Sequence, residues 1–379
     1  MGKAFAHAQE IIQHMERLAP KWMAMEGDPI GLQVGSLQKP VKKIMVTLDV
    51  IEPVIDEAFE KDVDLIIAHH PLIYKPLKRI NLDTSHGRTI QKLLNHQITV
   101  YTAHTNLDVA PGGVNDLLAK EIGIENTRVL VETIKDRLKK LVVFVPDSHA
   151  DLVRNALGEA GAGFIGNYSH CTFNTPGTGT FIPCEGTDPF IGRTGKLENV
   201  DEVKIETIYP ISIEKNVLKA LKKAHPYEEV AFDIIPLDNP GESLGVGRIG
   251  NLKEEMTLKD FAEQLKEKLQ VDGLRYVGDP DQKVKKVAVS GGEGNDFISQ
   301  AKFKGADVFI TGDIKYHYAH DAMIEGPAII DPGHNIEKVM KQGVADYLYD
   351  WTLKKKYQTE IVISEVETDP FRFLHVKKA

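Results

Sequence analysis

Three groups of polar side chains stand directly after apolar runs of the sequence, where predicted strands end. The groups are His69 and His70 after LIIA, His104 and Asp108 in TAHTNLD, and His334 and Glu337 in DPGHNIEK. Pro71 lacks a backbone N–H and favours an extended His70, so the first strand is predicted to end at the paired histidines. Ligand sites of open α/β sheets gather beyond the carboxyl ends of the strands. The placement therefore favours one ligand site built from distant parts of the chain.

These residue types are suited to coordinating transition-metal ions. The imidazoles and the two carboxylates form a nitrogen and oxygen set that fits Zn, Mn or Fe better than Ca. His334 and Glu337 are three residues apart, so on a helix they share one face. Five or six ligands exceed what one tetrahedral zinc ion needs. The set therefore favours a dinuclear site, with a carboxylate between two ions.

Each group also has a structural alternative. Paired histidines are often structural or accidental, and an H-x-x-E pair often lies on a solvated helix face. His104 could be a histidine at the edge of the core. Only the joint placement of all three groups at strand ends favours the metal site over these alternatives.

The elements that would position these groups form an α/β pattern with a different segment in its middle. Alternating strand and helix patterns before residue 136 predict a parallel α/β arrangement, with GDPIGLQVGS as a loop. Between residues 137 and 239 the predicted order is β-α-β-β-α-β, which is typical of a ferredoxin-like unit. We therefore predict an α/β fold, in which residues 1–136 and 240–379 are two halves of a metal-binding core and residues 137–239 an inserted domain.

Composition narrows the class of protein. The chain has 379 residues, 27% of them charged, with a net charge of −9 and no dense Lys/Arg block, which argues against nucleic acid as a partner. No apolar run reaches 18 residues and the N-terminus lacks the apolar core of a signal peptide, so no membrane partner is expected. The two cysteines, Cys171 and Cys184, predict no disulfide framework. A cytoplasmic protein is expected.

Seven short motifs in a fixed order give the sequence a family resemblance. They are GLQVG (31–35), AHHP (68–71), HTNLD (104–108), GVGRIG (245–250), SGGEG (290–294), TGDIKYH (311–317) and DPGH (331–334). The chain resembles the NGG-interacting-factor-three-like family, whose bacterial members are called GTP cyclohydrolase 1 type 2 homologues. The resemblance covers about residues 1–135 and 240–379, and the segment between them resembles the PII/CutA-like ferredoxin domain of the family's longer members.

The resemblance implies a dinuclear centre with two divalent metal ions per subunit, zinc being the expected metal and Mn or Fe the alternatives. The implied ligands are His69, His70, Asp108, His334 and Glu337. Short family members commonly place one more residue between the last histidine and the glutamate than GHNIE does, but both spacings keep the pair on one helical face. The resemblance also implies a toroidal homohexamer.

The family name implies hydrolytic opening of a guanine nucleotide ring by metal-activated water. His104 and His317 are the candidates to move protons, and Asp313 or Asp331 could orient an imidazole. The sequence has no GxxxxGK[ST] loop to hold a triphosphate. Two other functions therefore stay open: a metal-dependent regulatory or metal-handling oligomer that uses the insert as a sensor, and a hydrolase of another nucleotide or phosphoester.

Overall fold

Strands and helices alternate along residues 4–374, the part of the chain that the computed structural model describes. In chain order the strands are β1 Ala6–His7, β2 Gly31–Val34, β3 Pro40–Val41, β4 Lys43–Thr47, β5 Leu65–Ala68, β6 Thr99–Thr102, β7 Ile124–Lys135, β8 Leu138–Pro146, β9 Phe173–Phe181, β10 Glu198–Pro210, β11 Phe232–Pro236, β12 Ser243–Thr257, β13 Arg275–Val277, β14 Lys283–Glu293, β15 Val308–Gly312, β16 Ala328–Asp331 and β17 Glu360–Ile363. The α-helices are α1 Ala8–Leu18, α2 Glu52–Glu60, α3 Ser85–Asn95, α4 Thr105–Val109, α5 Val114–Ile122, α6 Ala150–Glu159, α7 Glu214–Ala224, α8 Leu258–Lys268, α9 Ile298–Phe303, α10 Tyr316–Glu325 and α11 Val339–Lys355. Short 3-10 segments include His334–Lys338.

The described chain divides into two compact units. The larger unit combines residues up to Thr133 with residues from Leu244 onward, and the smaller unit is Ile134–Ser243. The sequence-based bounds for the middle segment, residues 137–239, lie inside those of the smaller unit. Two separate stretches of sequence therefore build the larger unit together.

One sheet of the larger unit aligns two of the polar groups. Its order is β17-β4-β5-β6-β2, with β17, β4, β5 and β6 parallel and β2 antiparallel to β6. Ala68, the last residue of β5, lies opposite Thr47 of β4 and Thr102 of β6. The carboxyl ends of these strands are therefore level, and the chain beyond each one leaves the sheet at the same edge. The expectation that GLQVG is a loop was wrong, since Gly31–Val34 is strand β2.

The parallel strands of this sheet are covered by helices. β5 is buried at all four positions, as expected for a strand with apolar cover on both faces. Val54 and Ala58 of α2 and Leu93 of α3 pack in one cluster with Met45 and Ile66 of the sheet. Burial of each of the larger of these side chains contributes roughly 1.5–3 kcal/mol. The strand ends are thus fixed on a rigid layer.

A second sheet of the larger unit carries the remaining polar group. Its order is β13-β16-β15-β14-β12-β7, in which β14, β15 and β16 are parallel. β13 is antiparallel to β16, and β12 is antiparallel to β14. β16 ends at Asp331, and the chain then enters the 3-10 segment His334–Lys338.

The smaller unit contains one antiparallel sheet and two helices. Its elements follow the order β8, α6, β9, β10, α7, β11, and the sheet has the order β11-β8-β10-β9. Leu141 and Val143 of β8 pack with Ile205 of β10, Val153 of α6 and Leu221 of α7. Both helices therefore share one core with the sheet. Across residues 4–374, the helices are all too short or too polar to span a lipid bilayer.

Candidate metal centre

The structure brings the three polar groups together inside the larger unit. His69 and His70 follow β5 directly, His104 immediately precedes α4, and Asp108 lies within α4. His334 and Glu337 lie in the 3-10 segment beyond β16. The helix predicted for this pair is thus a 3-10 turn rather than an α-helix. Because 3-10 geometry places residues i and i+3 directly above one another, the two side chains point the same way.

The ligand atoms form three overlapping sets, each with atoms within 4.8 Å of one another. The sets are His69, His70 and His104; His70, His334 and Glu337; and His69, Asp108 and Glu337. Glu337 belongs to both sets that contain a carboxylate. Its Oε2 atom lies 3.0 Å from Nε2 of His70, 3.2 Å from Nε2 of His334 and 3.6 Å from Nε2 of His69.

Each of the four imidazole rings forms a hydrogen bond through Nδ1 with a group outside the cluster of ligand atoms. His69 donates to the carbonyl oxygen of Ala103 at 2.9 Å. The other three rings pair through Nδ1 with carboxylates: His70 with Asp49 (2.7 Å), His104 with Asp28 (2.8 Å) and His334 with Asp313 (2.7 Å). With a proton on Nδ1, Nε2 is the nitrogen that binds a metal once it has lost its own proton. These acceptors thus orient the four Nε2 atoms toward the cluster, where they can bind a metal ion.

Two buried atoms of the cluster lack a hydrogen-bond partner. They are Nε2 of His69 and Oδ1 of Asp108, which lie 3.5 Å apart. The His69 side chain is fully buried, and burying a polar atom without a partner costs about 1–3 kcal/mol. A cation bound by both atoms would remove that cost. The residues therefore fit a metal ion, both in the chemistry of the donors and in their unsatisfied atoms.

The charges of the cluster are strongly coupled. Burial opposes the charge on His70, yet the Asp49 and Glu337 carboxylates raise its pKa to about 10. The hydrogen bond to Glu337 raises the pKa of His334 to about 9 although burial acts against it. Burial would raise the pKa of Glu337, but His69 and the other imidazoles hold it well below its usual range. The site thus stabilises positive charge next to Glu337, as a site for divalent cations must.

Glycines of the SGGEG motif make room for Glu337. A Cβ atom added to Gly291 would lie 2.7 Å from Oε1 of Glu337, closer than real Cβ contacts come. Gly292 has a φ of 62°, and a Cβ atom there would lie 3.0 Å from the same oxygen and 3.4 Å from Nε2 of His334. Only glycine allows the backbone to approach the cluster this closely. The motif, which begins at the end of β14 and continues just beyond it, therefore forms a wall of the candidate site.

The structure separates the other sequence candidates. His317 lies exposed on α10 with its ring 5.6 Å from that of Tyr316, outside the three ligand sets found in the described chain. Asp313 is the carboxylate that orients His334. Asp331 instead pairs with Arg275 and accepts from the backbone N–H of Gly333, so it shapes the turn that leads to His334.

Asp49 and Asp28 were missed by the sequence interpretation. Asp49 follows β4, at the same edge of the sheet as the paired histidines, so the rule that found those histidines could have found it. Asp28 lies in a loop that carries no strand or helix pattern. It meets His104 and the backbone N–H of Thr105 only through the fold.

Known proteins resemble the chain over almost its whole length. A family model described as Duf34/NIF3 (NGG1p interacting factor 3) matches residues 6–370. A relative from Bacillus subtilis (strain 168), named GTP cyclohydrolase 1 type 2 homolog, is 56% identical over 368 residues, which cover 97% of this chain and 99% of the relative. A relative of the same name from Halalkalibacterium halodurans is 54% identical over 369 residues, with the same two coverages. The crystal structure of a Bacillus cereus protein related to NIF3 matches with a TM-score of 0.93 at 56% identity, covering 98% of this chain and 100% of that one.

Proposed function

We propose, because the chain belongs to the Duf34/NIF3 family, that it is a dinuclear metal-binding protein that acts as a metal-dependent hydrolase. The proposed reaction is hydrolytic opening of the guanine ring of a nucleotide by metal-activated water. The nucleotide part of the proposal comes from the name GTP cyclohydrolase 1 type 2 homolog that the relatives carry. The proposal that metal ions bind rests on the histidine and carboxylate side chains of this chain.

The sharing of Glu337 between two ligand sets is the observation that carries the proposal. His70, His334 and Glu337 form one set, and His69, Asp108 and Glu337 form the other. Glu337 could therefore stand between two divalent ions, one in each set, as carboxylates do in two-metal sites. The mixture of imidazole and carboxylate favours zinc, with Mn or Fe as alternatives.

His104 is assigned a different task from the other imidazoles. It belongs to the all-histidine set and to neither set that contains a carboxylate. Its Nδ1 pairs with Asp28, whose carboxylate also accepts from the backbone N–H of Thr105 and is thereby fixed in place. Such a pair fixes the orientation and the tautomer of the ring, which suits a general acid or base.

When bound, two divalent ions would lower the pKa of water and polarise a substrate oxygen or ring atom. The protein's own residues would orient the ligands and move protons. The carboxylates of Asp49 and Asp313 would keep His70 and His334 oriented toward the cluster, and His104 would move protons at Nε2. His317 stays a second candidate for proton transfer, in a role that would need the substrate or another subunit to reach it.

We also propose the finer architecture that the resemblance implies. The element order β-α-β-β-α-β and the sheet order β11-β8-β10-β9 support a ferredoxin-like, PII/CutA-like insert. The larger unit would then be a core of two halves, each contributing one sheet. A toroidal homohexamer in the cytoplasm is part of this proposal.

A second function is favoured by the smaller unit. This unit contains a cavity of about 520 Å³ formed entirely by its own residues. A metal-dependent regulatory or metal-handling oligomer could use such a cavity to sense a small molecule. In that case the metal centre would serve assembly or signalling rather than hydrolysis.

One experiment separates the two functions. Purified chain loaded with zinc is incubated with GTP, and the release of formate is measured. The hydrolase predicts formate that disappears with His70→Ala and persists with His86→Ala, a change on α3 outside the three ligand sets. Chain that retains its metal but leaves GTP and other nucleotides unchanged would contradict the hydrolase and favour the regulator.

A further inference from the structure

The cavity of the smaller unit has a chemical character that the proposed hydrolase does not use. It measures about 520 Å³ and lies between the β9–β10 hairpin, the loop that joins these strands and the loop that follows α7. Cavities of 300–1,000 Å³ with apolar walls and a few convergent polar groups are the usual form of small-molecule sites. We infer that this cavity binds a small organic cation, an amine or ammonium compound with a hydrocarbon body.

Aromatic rings form one wall of the cavity. The ring centroid of Tyr227 lies 5.9 Å from that of Phe181 and 6.3 Å from that of Phe190. The corresponding planes are inclined at 63° and 50°, so Tyr227 meets both phenylalanine rings at an angle instead of stacking on them. Phe190 is 52% exposed. An organic ammonium group is attracted to the faces of such rings, and its hydrocarbon part is removed from water at the same time.

Carboxylates supply the charge that selects a cation. Glu202, Glu228 and Glu229 line the cavity, and its lining contains no Lys, Arg or His. Tyr227 donates its hydroxyl to Oε1 of Glu202 at 3.0 Å, and the backbone N–H of Asp188 donates to Glu228 at 3.2 Å. These neutral donors orient the carboxylates without neutralising them. The cavity is therefore negatively charged as well as aromatic.

A glycine keeps the Glu202 carboxylate in place. Glu202 pairs with Gly177 across the β9–β10 ladder, and Gly179 lies two residues further along the same face. A Cβ atom added to Gly179 would lie 2.1 Å from Oε2 of Glu202, so any larger residue would displace the carboxylate. The stretch PGTGT of β9 thus gives Glu202 its position against the cavity wall.

Other classes of ligand fit the cavity less well. An anion would meet three carboxylates and no cationic side chain. A neutral apolar molecule would cover Glu202 and leave a charged group without solvent or partner, which is costly. A bare metal ion is disfavoured because, in the described chain, the groups with ligand atoms close enough to hold one are those of the metal centre. An organic cation satisfies both the rings and the carboxylates.

Isothermal titration of the full chain with spermidine and with choline tests the inference. We expect saturable binding of at least one of the two at millimolar concentration, and no binding of hexanediol, a neutral chain of comparable shape. Glu202→Gln keeps the bond from Tyr227 but removes the charge, and should weaken binding about tenfold or more. Glu185→Gln removes the same charge from an exposed position outside the cavity lining and should leave affinity unchanged.

Phe190→Ala is a second variant that tests the inference, because this exposed ring can be removed without opening the core. It should weaken binding roughly threefold or more through loss of the ring face. If Glu202→Gln lowers the thermal midpoint of the protein, Phe190→Ala and Glu229→Gln decide the result in its place. No saturable binding of either cation, equal binding of hexanediol, or equal weakening by Glu185→Gln would each overturn the inference. None of these readouts depends on hydrolase activity or on the metal centre.

Discussion

Oε2 of Glu337 lies 3.0 Å from Nε2 of His70, although 267 residues separate the two in the sequence. His70 follows β5 of one sheet, and Glu337 follows β16 of the other. The candidate metal centre therefore requires both stretches of the larger unit, those before Thr133 and after Leu244. Each of the two carboxylate-containing ligand sets draws on both stretches, which makes Glu337 the most informative single position.

Glu337→Gln should reduce the binding of both metal ions. The change keeps the shape of the side chain but removes the only charge common to the two ligand sets. We expect the metal content, measured by elemental analysis after exhaustive dialysis, to fall from two ions per chain to fewer than one. Glu121→Gln, an exposed change at the end of α5, should keep the full content. Loss of a single ion with the other retained at full affinity would contradict a shared role for Glu337.

Asp49→Asn should weaken metal binding without abolishing it. The Asp49 carboxylate holds Nδ1 of His70 at 2.7 Å, and loss of such outer partners typically costs 10–100-fold in metal affinity. Competition with a chromogenic zinc chelator would measure the change. An affinity within about twofold of the unchanged protein would mean that Asp49 does not prepare His70 for an ion.

Asp28→Asn should separate catalysis from metal binding. Asp28 pairs with His104, which lies outside both carboxylate-containing sets, so two ions should remain bound. Loss of the carboxylate removes the group that orients His104 and fixes its tautomer, so the rate of nucleotide hydrolysis should fall about 100-fold or more. Formate release and metal content are measured on the same sample. Parallel loss of metal and activity would instead make His104 a ligand.

His14, which lies outside the metal centre, should make the stability of the protein depend on pH. Its ring stacks between those of Tyr347 (4.3 Å) and Trp351 (4.8 Å), and neither ring nitrogen has a hydrogen-bond partner. Burial, assisted by the charge of Arg17, lowers the pKa of His14 from its ordinary value of 6.5 to about 4. The unfolded chain therefore binds this proton more tightly than the folded chain does, and stability is lost as the pH falls from 6.5 toward 4.

Urea unfolding of the wild type and of His14→Phe, at about pH 7.5 and about pH 5, measures this effect. Phenylalanine keeps the stacked ring but cannot bind a proton. The free energy of unfolding should fall by about 1–2 kcal/mol more in the wild type than in the variant between the two pH values. Equal falls in both proteins would show that His14 is not protonated on unfolding.

The ends of the central strands could be predicted from the sequence because apolar runs mark buried parallel strands. Polar residues placed directly after such runs must meet at one edge of the sheet, which is why His69 and His104 were found to be neighbours. The 3-10 form of His334–Lys338 could not be predicted, but it does not move the pair apart, since residues three apart share a face in both helix types.

Other features depend on contacts that no local pattern reveals. β7 is largely exposed along IENTRVLVETIK. Buried and exposed residues therefore do not alternate along it, and no strand was predicted there. β12 includes the glycine-rich motif GVGRIG, whose Gly247 has a φ of 68°, unusual for a strand interior. The pairing of Asp28 with His104 spans 76 residues and arises only when the loop is packed against α4. Sequence spacing therefore located the inner histidines and carboxylates better than the groups that orient them.

The number of metal ions bound per chain tests the central claim most directly. Chain stripped of metal with a chelator is titrated with zinc in a calorimeter, and the bound zinc is then counted by elemental analysis. Two sets of ligands that share Glu337 predict two zinc ions per chain in the unchanged protein and fewer than one in Glu337→Gln. Saturation at one ion or none, with Glu337→Gln binding as the unchanged protein does, would contradict the dinuclear centre.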